Sequence, residues 1–338
     1  MFREPVSKYL SWQLSPTPEH NDSHNRMNLL LPVLSGRHVL LLAVLTLLVQ
    51  PVFSEEPAGP PNRVLAADYE KKRLGLVDAD TGMLQWEIPI RDIHDLWILP
   101  NGHILTQTNW TRIVEFDKER KVVWSYDAAT MNGNSGKRVE VHAFQRLPNG
   151  LTMIAESGPS RIIEVDKQGR IQNQIKLKVI KPDPHRDTRL VRKLENGHYL
   201  VCQEGEAMVR EYDSKGKVTW AYAVKNAAGE PAAVYSASRL RNGNTLIGCG
   251  NGHRVIEVDR AGMLVWSLEE NQWPGVKLAW VTMTERLPNG NTLVVNCHAG
   301  PSQPQLLEVT PGKQIAWSYK DFANFGNALP VARIWRTQ

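Results

Sequence analysis

Cysteine is scarce in this chain: Cys202, Cys249 and Cys297 are the only three in 338 residues. They are 47 and 48 residues apart, and that spacing turns out to be the period of a repeat. Equivalent strands of stacked repeats are separated by a packed layer about 10 Å thick, beyond the Cα reach of a disulfide. The three are therefore expected to be small buried hydrophobes, neither a disulfide framework nor a metal set. A strong charge of one sign is also missing. The net charge is +5, an excess too small and too dispersed to be an electrostatic footprint for nucleic acid. No apolar run is long enough to span a bilayer as a helix. The longest covers 39–49, about 16 Å as a helix against roughly 30 Å of hydrocarbon.

That short run, with Arg37 and His38 before it and Ser54 after it, fits a secretory signal peptide, with an uncleaved membrane anchor as the alternative. The polar stretch 1–26 reads as disordered or as an extension ahead of a true start at Met27. The expected organisation is then an extension at 1–26, a signal or anchor at 27–54, a linker at 55–61 and one domain at 62–338. Export to the periplasm or the outside is the expected localisation.

That domain is repetitive. Leu99-Pro-Asn-Gly102, Leu147-Pro-Asn-Gly150, Leu194-Glu-Asn-Gly197, Leu240-Arg-Asn-Gly243 and Leu287-Pro-Asn-Gly290 recur at intervals of 46 to 48 residues. Each is followed by an acidic strand pattern: Val114-Glu-Phe-Asp117, Ile163-Glu-Val-Asp166, Arg210-Glu-Tyr-Asp213, Ile256-Glu-Val-Asp259 and the looser Leu307-Glu-Val-Thr310. Most units close on a Trp, at Trp124, Trp220, Trp266 and Trp317. Asn-Gly marks a tight hairpin with positive φ, and the runs after it are rich in β-formers. One unit is thus four short antiparallel strands, a to d, which is one propeller blade. The Trp is expected to pack between blades. The Glu of strand c (Glu115, Glu164, Glu211, Glu257) is expected to pair with the base before the turn Leu (Arg146, Lys193, Arg239, Arg286).

The ends complement each other. Residues 63–90 match strands b, c and d with no strand a, and 329–335 match a strand a with nothing after it. Ala332-Arg333-Ile334 resembles Ser238-Arg239-Leu240. The fold class is therefore an all-β, six-bladed propeller of four-stranded antiparallel blades, its first blade completed by the C-terminal strand, which leaves no free edge. The a–b and c–d turns are stereotyped. The d–a connections at 127–140, 178–188, 225–234, 271–279 and 320–328 vary, so with the b–c loops beside them they are the expected functional face.

Eight residues before each turn Gly, where strand a begins near the channel, stand His94, His142, Arg189, Tyr235 and Thr282. Asp95, His185, Asp187 and Trp280 lie close by in sequence, with Trp110, His253 and His298 in b–c loops. Imidazoles and a guanidinium converging on one opening suit an anion or acid–base work. No Cys or acidic residue stands at ligand spacing from His94, His142 or His253, so no metal site is expected. Asn109-Trp-Thr111 fits a glycosylation acceptor.

The Leu-Pro-Asn-Gly, Ile-Glu-Val-Asp and Val-Trp-Ser elements resemble the quinoprotein-like (PQQ-like) propeller repeats, most closely those of arylsulfate sulfotransferase-like propellers, across 62–338. The resemblance implies a channel histidine, His94 or His142, that carries a sulfuryl group, with Arg189 as oxyanion partner. The chain departs from the pattern at Thr282, where a further histidine belongs. It also lacks the adjacent Cys pair of the true quinoproteins, so PQQ is not implied and no cofactor is expected. The function expected is an exported, non-catalytic binding module for a protein, glycan or small anionic ligand, with membrane contact only through an uncleaved N-terminus. The alternative is sulfuryl transfer through a channel histidine.

Overall fold

A computed structural model describes residues 59–336. The segments expected at 1–26 and 27–54, and the start of the linker, lie outside the described residues. The rest forms six four-stranded antiparallel sheets. The first blade joins β1 (Arg63–Asp68), β2 (Arg73–Asp78) and β3 (Leu84–Pro89) to β24 (Val331–Trp335), in the order β24-β1-β2-β3. Blades two to six run in chain order through 97–127, 140–176, 191–223, 236–268 and 280–319. The C-terminal strand closes the ring, so the inner edge of β1 is covered by main-chain pairing from Arg63 with Trp335 to Ala67 with Val331. Among the described residues the one helical element is a 3-10 turn, Glu204–Glu206.

Burial follows strand order. The b and c strands are almost wholly buried, as in Thr152–Ser157, whereas the outer d strands alternate, as in Ile315–Tyr319. This is what β-branched and aliphatic residues do when both sheet faces pack on neighbouring blades. The three cysteines are buried free thiols, and burial pushes all three well above the ordinary thiol value.

The a–b turns use glycine for one specific reason. Gly102, Gly150, Gly197, Gly243 and Gly290 have φ of 80 to 88°, while the Asn before each does not enter the left-handed region. Instead the Asn side chain accepts the backbone N–H two residues on, at 3.0 Å for Asn101 with His103 and 3.1 Å for Asn149 with Leu151. Positive φ is therefore confined to the Gly, as in a type I turn closed by a left-handed residue.

Adjacent blades are held by a repeated clasp. The Glu of strand c in one blade receives the base of strand a in the next: Glu115 with Arg146 at 2.6 Å, Glu164 with Lys193 at 2.6 Å, Glu211 with Arg239 at 2.7 Å and Glu257 with Arg286 at 2.7 Å. The arginine lies over the strand-d Trp of the first blade, with its guanidinium carbon 4.9 Å from Trp124, 4.8 Å from Trp220 and 5.2 Å from Trp266. The indole N–H then donates to a carbonyl in the c–d turn of the next blade, at Lys167, Arg260 and Pro311. Blade three lacks the Trp, and its clasp changes consistently. Asn173 occupies that register and donates to Glu164 at 2.7 Å, and the base is Lys193, which also reaches the Tyr199 hydroxyl. At the junction of blades one and two, Leu76 and Ile98 occupy the Glu and base positions.

The C-terminal strand departs from the expected superposition. Ile334 pairs with Val64 as Arg239 pairs with Thr245, so Arg333 is one position out of the clasp register. Its guanidinium lies over Trp97 at 5.1 Å and binds Glu285 at 2.6 Å, while Arg336 takes the clasp to Glu308.

Glu211 is the most heavily clasped acid. Burial acts to raise its pKa, but hydrogen bonds from Arg260 and His198 and the charges of Arg260 and Arg239 hold it down at about 2. Depressed in the folded state, it contributes stability that is full above the unfolded carboxylate value and is lost as pH falls towards 2. Thermal melts between pH 7 and pH 2 are expected to show that loss, and Glu211→Gln to destabilise by about 3 kcal/mol at pH 7 while flattening the acid limb.

Candidate functional site

The d–a and b–c connections meet around a cavity of about 540 Å³, within the size range of small-molecule sites. Strand-a starts bring His94, Arg189, Tyr235, Trp280 and Thr282 to it, b–c loops bring Lys72, Trp110 and His298, and d–a loops bring Arg91, Asp92 and His185. Two of the strand-a positions coincide with β-bulges. The register shifts between Val141 and Ala143, placing the bulge at His142, and again between Val281 and Thr284, around Thr282. An extra residue at a strand end re-aims a side chain out of the alternating pattern.

The rings cluster closely. His94 stacks on His142 with centroids 4.5 Å apart, and it lies 5.2 Å from Tyr235 and 4.8 Å from Trp110. His185 packs edge-on to Trp110 at 5.2 Å. His142 itself is fully buried, behind His94 rather than on the cavity wall. Its Nδ1 is 2.6 Å from the Thr188 carbonyl and its Nε2 is 3.2 Å from Glu140 Oε2.

Burial, then the neighbouring His142 and the Arg189 charge, hold His94 well below the ordinary imidazole value, so it is neutral at physiological pH. Arg189 Nη1 sits 3.4 Å from His94 Nδ1. A guanidinium only donates, so Nδ1 is the acceptor and the ring proton is on Nε2. The Arg189 charge is itself paired with the buried Glu204, and its guanidinium lies 5.4 Å over Tyr235. Burial above all raises the Tyr235 and Tyr69 hydroxyls far above the usual phenol value, and Tyr69 donates to the Ile93 carbonyl at 2.5 Å. The Thr282 hydroxyl is buried without a hydrogen-bond partner among the described residues, a polar atom that a bound molecule can engage.

Besides His142, three residues expected near the opening are placed elsewhere. Asp95 is fully buried and bound bidentately by Arg192 at 2.7 and 3.0 Å. Arg192 in turn lies over Trp97 at 4.7 Å, so these inner-strand residues fill space between blades. His253 lies outside the lining: it holds a left-handed loop conformation (φ 56°) and bonds the Ala279 carbonyl through Nδ1 at 2.6 Å. Asp187 accepts backbone N–H groups from Asp183 and Gly158 and is a loop brace. Asn109 likewise accepts from Thr111 and Arg112 N–H, at 2.9 and 2.8 Å.

Tyr69, Lys72, Arg91, Asp92 and Pro330 are lining residues that the repeat did not point to. Tyr69, Lys72 and Pro330 come from the first blade and the C-terminal approach, where no Asn-Gly turn supplies a register to count from, and Arg91 and Asp92 lie three and two residues ahead of His94, the position counted from Gly102. Glu140 was missed for a different reason. Its partners are two residues and 45 residues away, and only the bulge and the following d–a loop bring their ligand atoms within 4.8 Å of one another.

Fold and site together define a six-bladed propeller whose variable-loop face opens on an aromatic- and histidine-lined cavity. The sequence from 112 to 298 matches the model of the Mal s 1 allergenic protein-like family, and the chain belongs to that family. No curated protein matches the chain. Among solved structures, a protein of unknown function from Bacteroides caccae is 22% identical and superposes with a TM-score of 0.70, over 82% of this chain and 100% of that one. Virginiamycin B lyase from Staphylococcus aureus is 12% identical with a TM-score of 0.52, over 75% of this chain and 79% of its own. A streptogramin B lyase is 13% identical with a TM-score of 0.52, over 78% and 85%. At these identities the likeness establishes the fold. Neither a quinoprotein-like nor an arylsulfate sulfotransferase relative is among these matches, so the repeat resemblance holds at the level of the propeller.

Because Glu204 is buried against Arg189, Arg189→Ala is expected to destabilise the fold by about 3 kcal/mol. Adding Glu204→Gln should recover part of that loss in thermal denaturation, since Arg186, 3.4 Å from the other carboxylate oxygen and half-exposed, is then the one remaining partner of the buried charge among the described residues.

Proposed function

We propose that the protein is a non-catalytic binding propeller that takes a small organic anion with a flat apolar body on its variable-loop face. The observation that carries this reading is the make-up of this cavity's wall. Tyr69, Trp110, Tyr235 and Trp280 contribute aromatic rings, and the bases Lys72 and Arg91 stand among the same lining residues. Aromatic walls favour a planar body through offset and edge contacts, and exposed bases orient an anionic group, with Lys72 clear of the Asp92 carboxylate that Arg91 adjoins. A cavity of about 540 Å³ suits a small molecule better than a protein loop or a glycan chain. Export is part of the same reading and rests on the positively flanked apolar run at 39–49.

Sulfuryl transfer through His94 has weaker support. A nucleophilic imidazole needs a free lone pair facing the substrate, whereas the lone pair of His94 is directed at Arg189. His142, the other candidate, has both ring nitrogens occupied by oxygen acceptors.

Anilinonaphthalene sulfonate, a flat aromatic anion, is the direct probe. Fluorescence titration is expected to show one saturable site that prefers it to the uncharged phenylnaphthylamine. Trp110→Ala should weaken binding about tenfold, and Lys72→Ala with Arg91→Ala should remove the preference for the anion. Equal binding to all these variants would overturn the assignment. Nitrophenyl sulfate with a phenol acceptor should give no turnover; turnover that is lost in His94→Ala would establish the enzyme reading instead.

A further inference from the structure

We infer that Glu140, His142 and His185 form a binding site for one divalent transition-metal ion of the zinc class, at the wall of the cavity. This inference stands apart from the identity of the cavity's organic ligand.

The geometry of His142 carries it. Both ring nitrogens face oxygen acceptors: the Thr188 carbonyl at 2.6 Å from Nδ1 and Glu140 Oε2 at 3.2 Å from Nε2. A neutral imidazole has one N–H. The shorter contact, to a carbonyl that can only accept, must hold that proton. The Nε2 lone pair is then aimed at a carboxylate oxygen, an arrangement that calls for a cation between the two atoms. The His185 ring stands on the other side of the same carboxylate, and the ligand atoms of all three side chains lie within 4.8 Å of one another. The Nδ1–H to carbonyl bond is also the usual outer-shell device that fixes the tautomer of a metal-binding histidine.

One edge of the cluster already has the length a metal site requires. Ligand atoms about 2.0–2.1 Å from a tetrahedral zinc ion stand roughly 3.3 Å from each other, and Glu140 Oε2 and His142 Nε2 are 3.2 Å apart. His185 Nδ1 is 2.6 Å from the same oxygen and has to retreat by several tenths of an ångström. It can do so because it sits on the d–a loop with its side chain 40% exposed. Its proton moves to Nε2 as Nδ1 becomes the donor to the metal, so no net charge is required of it. The other Glu140 oxygen is held by Arg138 at 3.1 Å, which leaves Oε2 as the ligand atom.

The charge balance around the site is mixed. Arg138 and Arg189 are positive, but the first is tied to Glu140 and the second to Glu204. Asp92, on the cavity wall, interacts with both Glu140 and His185 and supplies a further negative charge. Two histidines and one carboxylate leave a fourth position free, the arrangement of zinc sites that bind water or an exogenous ligand. Since His185 lines the cavity, that position is reached from it.

The test uses tag-free protein stripped with a chelator. Calorimetric titration with zinc chloride is expected to show one equivalent bound, and cobalt(II) to give the visible absorption of a four- or five-coordinate ion. Glu140→Gln and His185→Ala, each with wild-type circular dichroism, should weaken zinc binding by at least about 100-fold, the upper end of what loss of an outer-shell partner does. His253→Ala, remote from the cluster, should bind as the wild type does. The inference is overturned if the wild type binds no zinc saturably, or if His185→Ala and Glu140→Gln retain wild-type zinc affinity and cobalt spectrum. His185→Ala changes a half-buried loop side chain outside the strands, so the test survives a folding defect in the other variant.

Discussion

The ring depends on one interaction above all, the clasp in which a buried glutamate of one blade takes the base of the next while that base lies over a tryptophan or tyrosine. Hydrophobic burial between blades is non-directional and would tolerate sliding. The clasp supplies direction, because the carboxylate, the guanidinium plane and the indole N–H each accept only a narrow geometry. Its variants show that the parts are coupled. Where the strand-d Trp gives way to Asn173, the arginine gives way to Lys193 and Tyr199 supplies the ring face, at 4.1 Å. Where Leu76 and Ile98 replace the charges, both members change together. A buried charge with one member missing costs far more than an apolar pair in its place.

The cavity follows from what the clasps leave free. They occupy the side of each blade that bears the Asn-Gly turns, and they hold the strand-a starts at the opposite side in fixed positions. Side chains there answer to no packing rule of the repeat. His94, Arg189, Tyr235 and Thr282 are accordingly four different residue types at one repeat position. Bulges at His142 and around Thr282 then break the local alternation. One of them turns an imidazole into the wall between two blades, against a glutamate and a loop histidine.

Burial and a neighbouring positive charge decide the chemistry of this cluster. His94 and His142 are kept neutral by burial and by the Arg189 charge. Neutral imidazoles serve better as hydrogen-bonding and metal-ligating groups than as the positive charges that an anion-binding histidine cluster needs. Any anion recognition therefore falls to Lys72 and Arg91 at the rim. The interior offers aromatic surface and lone pairs, a division of labour that repeat position alone does not express.

Several features are legible in the sequence, because each depends on local backbone chemistry or on a strict period. The Asn-Gly turns, the four-strand unit, the count of six blades and the Glu–base pairing all follow from spacing. So does closure by the C-terminal strand, although its register is one residue from the pattern match, which places Arg333 over Trp97. The depth and direction of side chains around the opening were not legible. Asp95 and His94 are neighbours in sequence, yet one is locked to Arg192 between blades and the other faces the cavity. Glu140 meets His185 only because a bulge and a loop bring together residues 45 positions apart. Sequence by itself determined the propeller, since its period repeats the same local demands in each unit. Only the tertiary structure decided the site, since a site is made where the period is broken and contact is set by packing across blades.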